Sequence, residues 1–218
     1  LEVIACNRFY FLQDSGGFEN KGEITMRLKK IGLVLGATIV VLVGIWLMVR
    51  QVTLADGELP ILGQVPNFEF IERSGNPFGL EDLKTAINVV DFIFTSCPGV
   101  CPEMSSKMAK LYEAFKGNNR IRFVSISVDP ENDTLEVLKQ YAMDNGVNDE
   151  RWLFLRAPIE QVVELSVKGF RLPAENLPAG HSTKFILVDN KGRIRGYYEG
   201  LSDESMEEIK RDIGRLEK

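Results

Sequence analysis

The chain is poor in the residues that usually hold metals or staple folds. It has one histidine and three cysteines among 218 residues. So few cysteines exclude a disulfide-stapled scaffold and a zinc site built from four thiolates. Positive charge is also short, with 26 Lys and Arg against 31 Asp and Glu and a pI of 5.2. From Gln51 onward the balance is 20 against 27, a net −7. That excludes a nucleic-acid wrapper, whose affinity comes largely from Lys and Arg on phosphates. There is no internal repeat and no low-complexity tract. With 44% hydrophobic and 26% charged residues, what is left is one globular domain plus a small extra segment.

The extra segment is near the start. Residues Ile31 to Val49 contain no charge, and nineteen residues at ~1.5 Å each span roughly the hydrocarbon core of a bilayer. Arg27, Lys29 and Lys30 precede the run, and Asp56 and Glu58 follow it after Arg50. Positive charge before the span keeps the N-terminus in the cytoplasm and exports the rest. The run exceeds the ~7–15 apolar residues of a cleaved signal peptide, and Thr53-Leu54-Ala55 is a poor small-x-small cleavage site. The expectation is an uncleaved single-pass anchor over 26–50, with the C-terminal domain on the periplasmic side of a bacterial inner membrane. Met26 opens an ordinary signal-type N-region, and codons for Lys21-Gly22-Glu23 can contain a GGAG ribosome-binding sequence. Residues 1–25, including Cys6, are therefore expected to be a leader translated from upstream of the true start.

Beyond the anchor, residues 51–62 read as a linker with Gly, Pro and acidic residues. Asn67–Glu72 alternates like a strand and Ser74-Gly75-Asn76-Pro77 reads as a turn. Ile87–Phe94 is a near-continuous apolar run, the pattern of a strand buried on both faces. Met104, Met108, Leu111 and Phe115 recur at helical spacing over Glu103–Lys116, with Gly117 as a C-cap. Strand Ile121–Val128 follows. Asp133 and Glu136 read as a capping pair opening a helix to Asn145. Trp152–Leu155 reads as a strand and Ile159–Lys168 as a helix. Strands Phe185–Val188 and Ile194–Tyr198 flank the hairpin turn Asp189-Asn190-Lys191-Gly192, and a terminal helix starts at Asp203. Alternating strands and helices imply an α/β fold, a mixed sheet with helices on both faces.

Cys97 directly follows the buried strand, at the carboxyl edge where open α/β sheets bind ligands. A thiol at a helix start meets unpaired N–H groups and the positive dipole end, which favour the thiolate. Cys101 lies about one turn on, so both sulfurs can face one point. Pro98 and Pro102 stiffen the loop between them. The only histidine, His181, stands just before strand Phe185–Val188. Asp129 ends strand Ile121–Val128, and reaches the same edge if that strand runs parallel to the cysteine strand. Met104 and Met108 continue the helical face of Cys101, and such a stripe is core more often than a pair of thioether ligands. Two thiolates and an imidazole form a soft donor set that suits copper, and no dedicated fourth protein ligand completes a structural zinc site.

Three stretches resemble the Sco/SenC family: Phe94-Thr95-Ser96-Cys97-Pro98-Gly99-Val100-Cys101-Pro102, Ser127-Val128-Asp129-Pro130-Glu131-Asn132-Asp133-Thr134, and His181-Ser182-Thr183-Lys184-Phe185-Ile186-Leu187-Val188-Asp189. Order and intervals match over residues 63–215. The resemblance implies a thioredoxin-like fold over 63–218 and one copper ion, Cu(I) or Cu(II), held by Cys97, Cys101 and His181, with Asp129 nearby. The implied role is delivery of copper to the dinuclear copper centre of cytochrome c oxidase, or reduction of that centre's cysteines. The chain departs from the family pattern at Gly180, where an acidic residue is common, at Leu135, where a proline is common, and at the small Gly99. The expected partner is the copper-site subunit of cytochrome c oxidase or another copper protein, and the alternative is a membrane-anchored thiol–disulfide reductase acting on the cysteines of a copper protein through Cys97 and Cys101 as a redox pair, without His181.

Overall fold

The computed structural model describes residues 20–54 and 57–218. Cys6 and the expected leader up to residue 19 lie outside the described residues. The chain divides into two compact units, one through Gly57 and one from Glu58. The first carries helix α1 (Asn20–Leu54). Its segment Met26–Met48 has a mean hydropathy of 2.6 and is long and apolar enough to cross a membrane. Leu33, Val34, Leu35 and Ile39 point in four directions about its axis, so the apolar residues encircle the helix instead of forming one stripe.

The second unit contains β1 (Gly63–Gln64), β2 (Glu69–Glu72), β3 (Pro77–Gly79), α2 (Leu80–Leu83), β4 (Ile87–Ile93), α3 (Cys101–Ala114), β5 (Ile121–Ser127) and α4 (Leu135–Asp144). There follow β6 (Trp152–Arg156), α5 (Ile159–Glu164), a π turn (Leu165–Gly169), β7 (Lys184–Val188), β8 (Arg193–Glu199) and α6 (Asp203–Leu216). One eight-stranded sheet has the order β1-β8-β7-β4-β5-β6-β2-β3. β4, β5 and β6 are parallel, whereas β7 runs antiparallel to β4 and to β8.

β4 is buried throughout, yet its side chains still alternate between faces. Val89 and Ile93 join Met104, Met108 and Leu111 of α3 and Ile209 and Ile213 of α6 in one core layer. Val90 and Phe92 join Val162, Leu165 and Phe170 in the other. Each such buried side chain contributes about 1.5–3 kcal/mol through removal of apolar surface from water. Because β4 and β5 are parallel and in register from Ile87↔Ile121 to Ile93↔Ser127, their carboxyl ends finish side by side. That places the cysteine loop and the Asp129 loop at one edge.

Several elements differ from expectation. The Ser74–Pro77 turn leads straight into β3, which pairs with β2 from Glu69↔Gly79 to Ile71↔Pro77. Pro77 is tolerated because β3 is the last strand of the sheet and has no neighbour beyond it among the described residues. The last residues of the expected linker belong to the domain: Leu59 is buried, and Arg195 donates to the carbonyls of Leu59 and Pro60. Helix α3 opens at Cys101, two residues early, and its C-cap is Phe115, with Gly117 at φ +79° closing the turn beyond. The helix expected over Ile159–Lys168 gives way to the π turn after Glu164. Asp133 does not cap α4. The N-cap is Thr134, whose hydroxyl accepts the Val137 N–H at 3.3 Å.

Candidate metal centre

Cys97 lies in the loop between β4 and α3, and its N–H reaches back to the Phe94 carbonyl at 3.3 Å. Cys101 is in the first turn of α3, packed in the second core layer and 1% exposed. Both thiols are free. Burial alone would raise the Cys97 pKa. It is outweighed by hydrogen bonds from the Cys101 thiol and from the backbone N–H groups of Cys101, Gly99 and Val100, so the Cys97 thiol is held below its ordinary value. These are the orphan donors of a helix start, pointed at sulfur. Cys101 goes the other way. Burial first, and then the proton it shares with Cys97, push its thiol up to about 12. The pair is therefore differentiated into a half-buried, more acidic sulfur and a fully buried one that keeps its proton.

His181 is buried and comes from the loop ahead of β7, where Ala174 and His181 form an isolated antiparallel bridge. Its Nδ1 lies 3.0 Å from the Ser182 carbonyl oxygen. A carbonyl can only accept, so Nδ1 carries the hydrogen. Burial lowers the His181 pKa against the opposing Ser182 hydrogen bond and keeps the ring neutral. The lone pair then sits on Nε2, 3.4 Å from Cys101 Sγ. A backbone carbonyl on the far nitrogen is the usual orienting partner of a metal-binding imidazole. The Phe94 ring meets the imidazole edge-on at 5.6 Å between centroids.

The three side chains form a chain centred on Cys101, with Cys97 on one side and His181 on the other. Among the described residues no three His, Cys, Asp or Glu groups gather closely enough to hold a metal ion. Asp129 is half-buried, and both its carboxylate oxygens accept from Asn132 Nδ2, at 3.0 and 2.9 Å. The structure brings it to the right edge but not into hydrogen-bond contact with Cys97, Cys101 or His181. Met104 and Met108 are fully buried in the first core layer, as a core stripe requires. Sequence reading missed Phe94, whose backbone and ring touch all three candidate residues. Its place as the last residue of the apolar run Ile87–Phe94 was the available signal.

Residues 63–217 match the SCO1/SenC family, and the chain belongs to that family. A SCO1 protein homolog from Bacillus subtilis is 32% identical over 161 residues, covering 71% of this chain and 83% of that protein. Among solved structures, a SCO1/SenC family lipoprotein from Bacillus anthracis superposes with a TM-score of 0.68 at 35% identity, covering 73% of this chain and 98% of that one. BsSco, described as a member of the Sco family of cytochrome c oxidase assembly proteins with a disulfide switch, gives a TM-score of 0.65 at 31% identity, covering 72% and 96%. The fold is the thioredoxin-like fold of the Sco proteins, preceded by one candidate membrane helix.

Proposed function

We propose that this chain is a copper metallochaperone that binds one copper ion through Cys97, Cys101 and His181 and passes it to the dinuclear copper centre of cytochrome c oxidase. The observation that carries the reading is the lone pair of a neutral, carbonyl-oriented His181 facing a cysteine thiol at 3.4 Å. Two sulfurs and one imidazole are soft enough for copper. The solved structure of copper-bound ScoI from Bradyrhizobium japonicum shares the fold at 22% identity, with a TM-score of 0.58. Copper is here the cargo. Its binding would displace the Cys101 proton and would require the three side chains, which form a chain centred on Cys101, to close around one point.

Copper titration of the reduced protein should give one equivalent. Replacing both Cys97 and Cys101 by Ala should abolish high-affinity binding. His181→Ala should weaken binding while leaving the rate of reduction of a model disulfide largely unchanged, because thiolate pairs exchange without an imidazole. Parent-like copper affinity together with lost disulfide exchange in His181→Ala would make His181 part of a redox site and remove the chaperone reading. A second reading, a thiol–disulfide reductase, is favoured by the split acidity of Cys97 and Cys101. The two roles use the same sulfurs and exclude each other at any one moment.

The reading includes a single-pass inner-membrane anchor with the domain on the periplasmic side, supported by the apolar Met26–Met48 segment and the Arg27, Lys29 and Lys30 flank. Protease added to intact spheroplasts should digest the domain. A protected domain, or a soluble form with a new N-terminus near Asp56, would contradict this topology.

A further inference from the structure

Asp133 is fully buried, and no salt bridge involves it among the described residues. Its carboxylate instead takes hydroxyl and amide donors. Oδ1 accepts the Thr95 hydroxyl at 2.6 Å and the Thr95 backbone N–H at 3.2 Å, and Oδ2 accepts the Ser127 hydroxyl at 2.5 Å. The Ser127 oxygen in turn accepts the Asp129 N–H at 3.1 Å. An ionised carboxylate offers acceptors only, so a site lined by three donors fits it without a cation. The result is a clasp across the carboxyl ends of β4 and β5, beside the start of α4.

The important partner is the Thr95 N–H. It belongs to the same planar peptide unit as the Phe94 carbonyl. When Asp133 holds the N–H, the plane cannot turn, and the carbonyl is fixed on the opposite side. That carbonyl accepts the Cys97 N–H. The backbone of Phe94 also hydrogen-bonds the Cys101 thiol, and its ring lies against His181. One residue therefore touches all three candidate ligands, and the peptide that follows it is locked from behind by Asp133.

We infer that Asp133 is a positioning residue of the Cys97–Cys101–His181 site, acting through the Phe94–Thr95 peptide. The inference rests on the proposed site, though not on copper itself: the same peptide sets the spacing of the two sulfurs when they form a disulfide. In Asp133→Asn an amide NH2 replaces one acceptor. Turned toward Thr95 it opposes the N–H and frees the peptide; turned toward Ser127, whose hydroxyl can then accept, it leaves Thr95 a neutral oxygen in place of a charged one, and the hold on the peptide weakens. Groups that orient metal ligands typically change affinity by about 10–100-fold when removed.

The test uses the full chain in detergent micelles, comparing parent, Asp133→Asn, Thr95→Val, Thr95→Ser and Ser127→Ala. Three quantities are measured: the alkylation rate of Cys97 in the reduced protein, the reduction potential of the Cys97–Cys101 disulfide, and copper affinity against a chelator. Thr95→Ser keeps hydroxyl and N–H and should behave as the parent. Asp133→Asn should shift the alkylation rate and the potential and weaken copper about 10–100-fold. Thr95→Val should do the same more weakly, and Ser127→Ala least, since Ser127 does not touch the peptide. If Asp133→Asn does not fold, Thr95→Val against Thr95→Ser decides. Parent-like alkylation and potential in the folded Asp133→Asn or Thr95→Val variant would overturn the positioning role, as would equal effects of Thr95→Ser and Thr95→Val. Shifted alkylation and potential in a protein whose parent binds no copper would uphold Asp133 and overturn the chaperone reading instead.

Discussion

Asp91→Asn should gain stability relative to the parent as pH rises from 4 to 8, by roughly 4 kcal/mol in total. Asp91 lies in the middle of β4 with no exposure. Its Oδ1 accepts the hydroxyl of Ser125, its cross-strand partner, at 2.7 Å, and the Ser125 oxygen accepts Trp152 Nε1–H at 3.0 Å. Oδ2 is buried without a hydrogen-bond partner among the described residues. Burial outweighs the Ser125 hydrogen bond and raises the pKa from 3.8 to about 7. The folded state thus holds a proton that the unfolded chain gives up near pH 4. This contribution to stability is complete below the unfolded pKa, declines as pH rises, and is gone above the folded pKa. The window is therefore about pH 4 to 7, and three pKa units at ~1.4 kcal/mol each set the size. Tyr141 and Cys101 are the titratable neighbours that feel the Asp91 charge, and burial raises the pKa of both, so neither gives up its proton below pH 7. Urea unfolding of parent and variant at half-unit pH steps gives the difference, and other carboxylates cancel in it. A difference independent of pH would mean that Asp91 titrates normally in the fold.

Asp91 also shows which parts of the structure were open to sequence reading. The run Ile87–Phe94 declared a buried strand, but the aspartate within it gave no sign of which layer it faced. That depended on the alternation of β4 and on its register with Ser125. The elements with strong periodicity, β4, α3, β5 and α6, were readable because burial patterns are local. β1 and β3 were not, because they are two and three residues long and exist only through pairing with β8 and β2. Cys97 and Cys101 were readable from spacing and position after the strand. His181 needed the resemblance, since its approach to Cys101 crosses 80 residues of chain. Asp133 was misread because Asp, Thr and Glu in that order make a good capping pattern, and only the parallel pairing of β4 with β5 brings Thr95 within its reach.

Gly180 allows charge and shape to be separated at the histidine loop. The residue lies in a tight turn where its N–H donates to the Asn176 carbonyl at 3.1 Å. A Cβ built there would overlap the Glu175 carbonyl oxygen, far inside van der Waals contact, and lie 3.0 Å from the Glu175 carbonyl carbon. Those atoms are backbone and cannot swing aside as a flexible side chain would. Any side chain must therefore open the turn, and the next residue is His181. Its ring is oriented by the Ser182 carbonyl, Cys101 Sγ and the Phe94 edge, so moving its Cα carries Nε2 away from Cys101. The turn is on the surface, and Gly180 itself is exposed, so the core should survive. Gly180→Ala is expected to weaken copper binding about 10–100-fold, the usual effect of disturbing what orients a ligand, with disulfide exchange at Cys97 and Cys101 near the parent rate. Gly180→Asp supplies the acidic residue common in the family and is expected to do no better, because the shape of this turn, not its charge, requires glycine. Copper affinity by chelator competition on the two variants separates the explanations. Tighter binding in Gly180→Asp with no change in Gly180→Ala would show that the loop relaxes freely and that local charge governs the affinity of His181 for the metal.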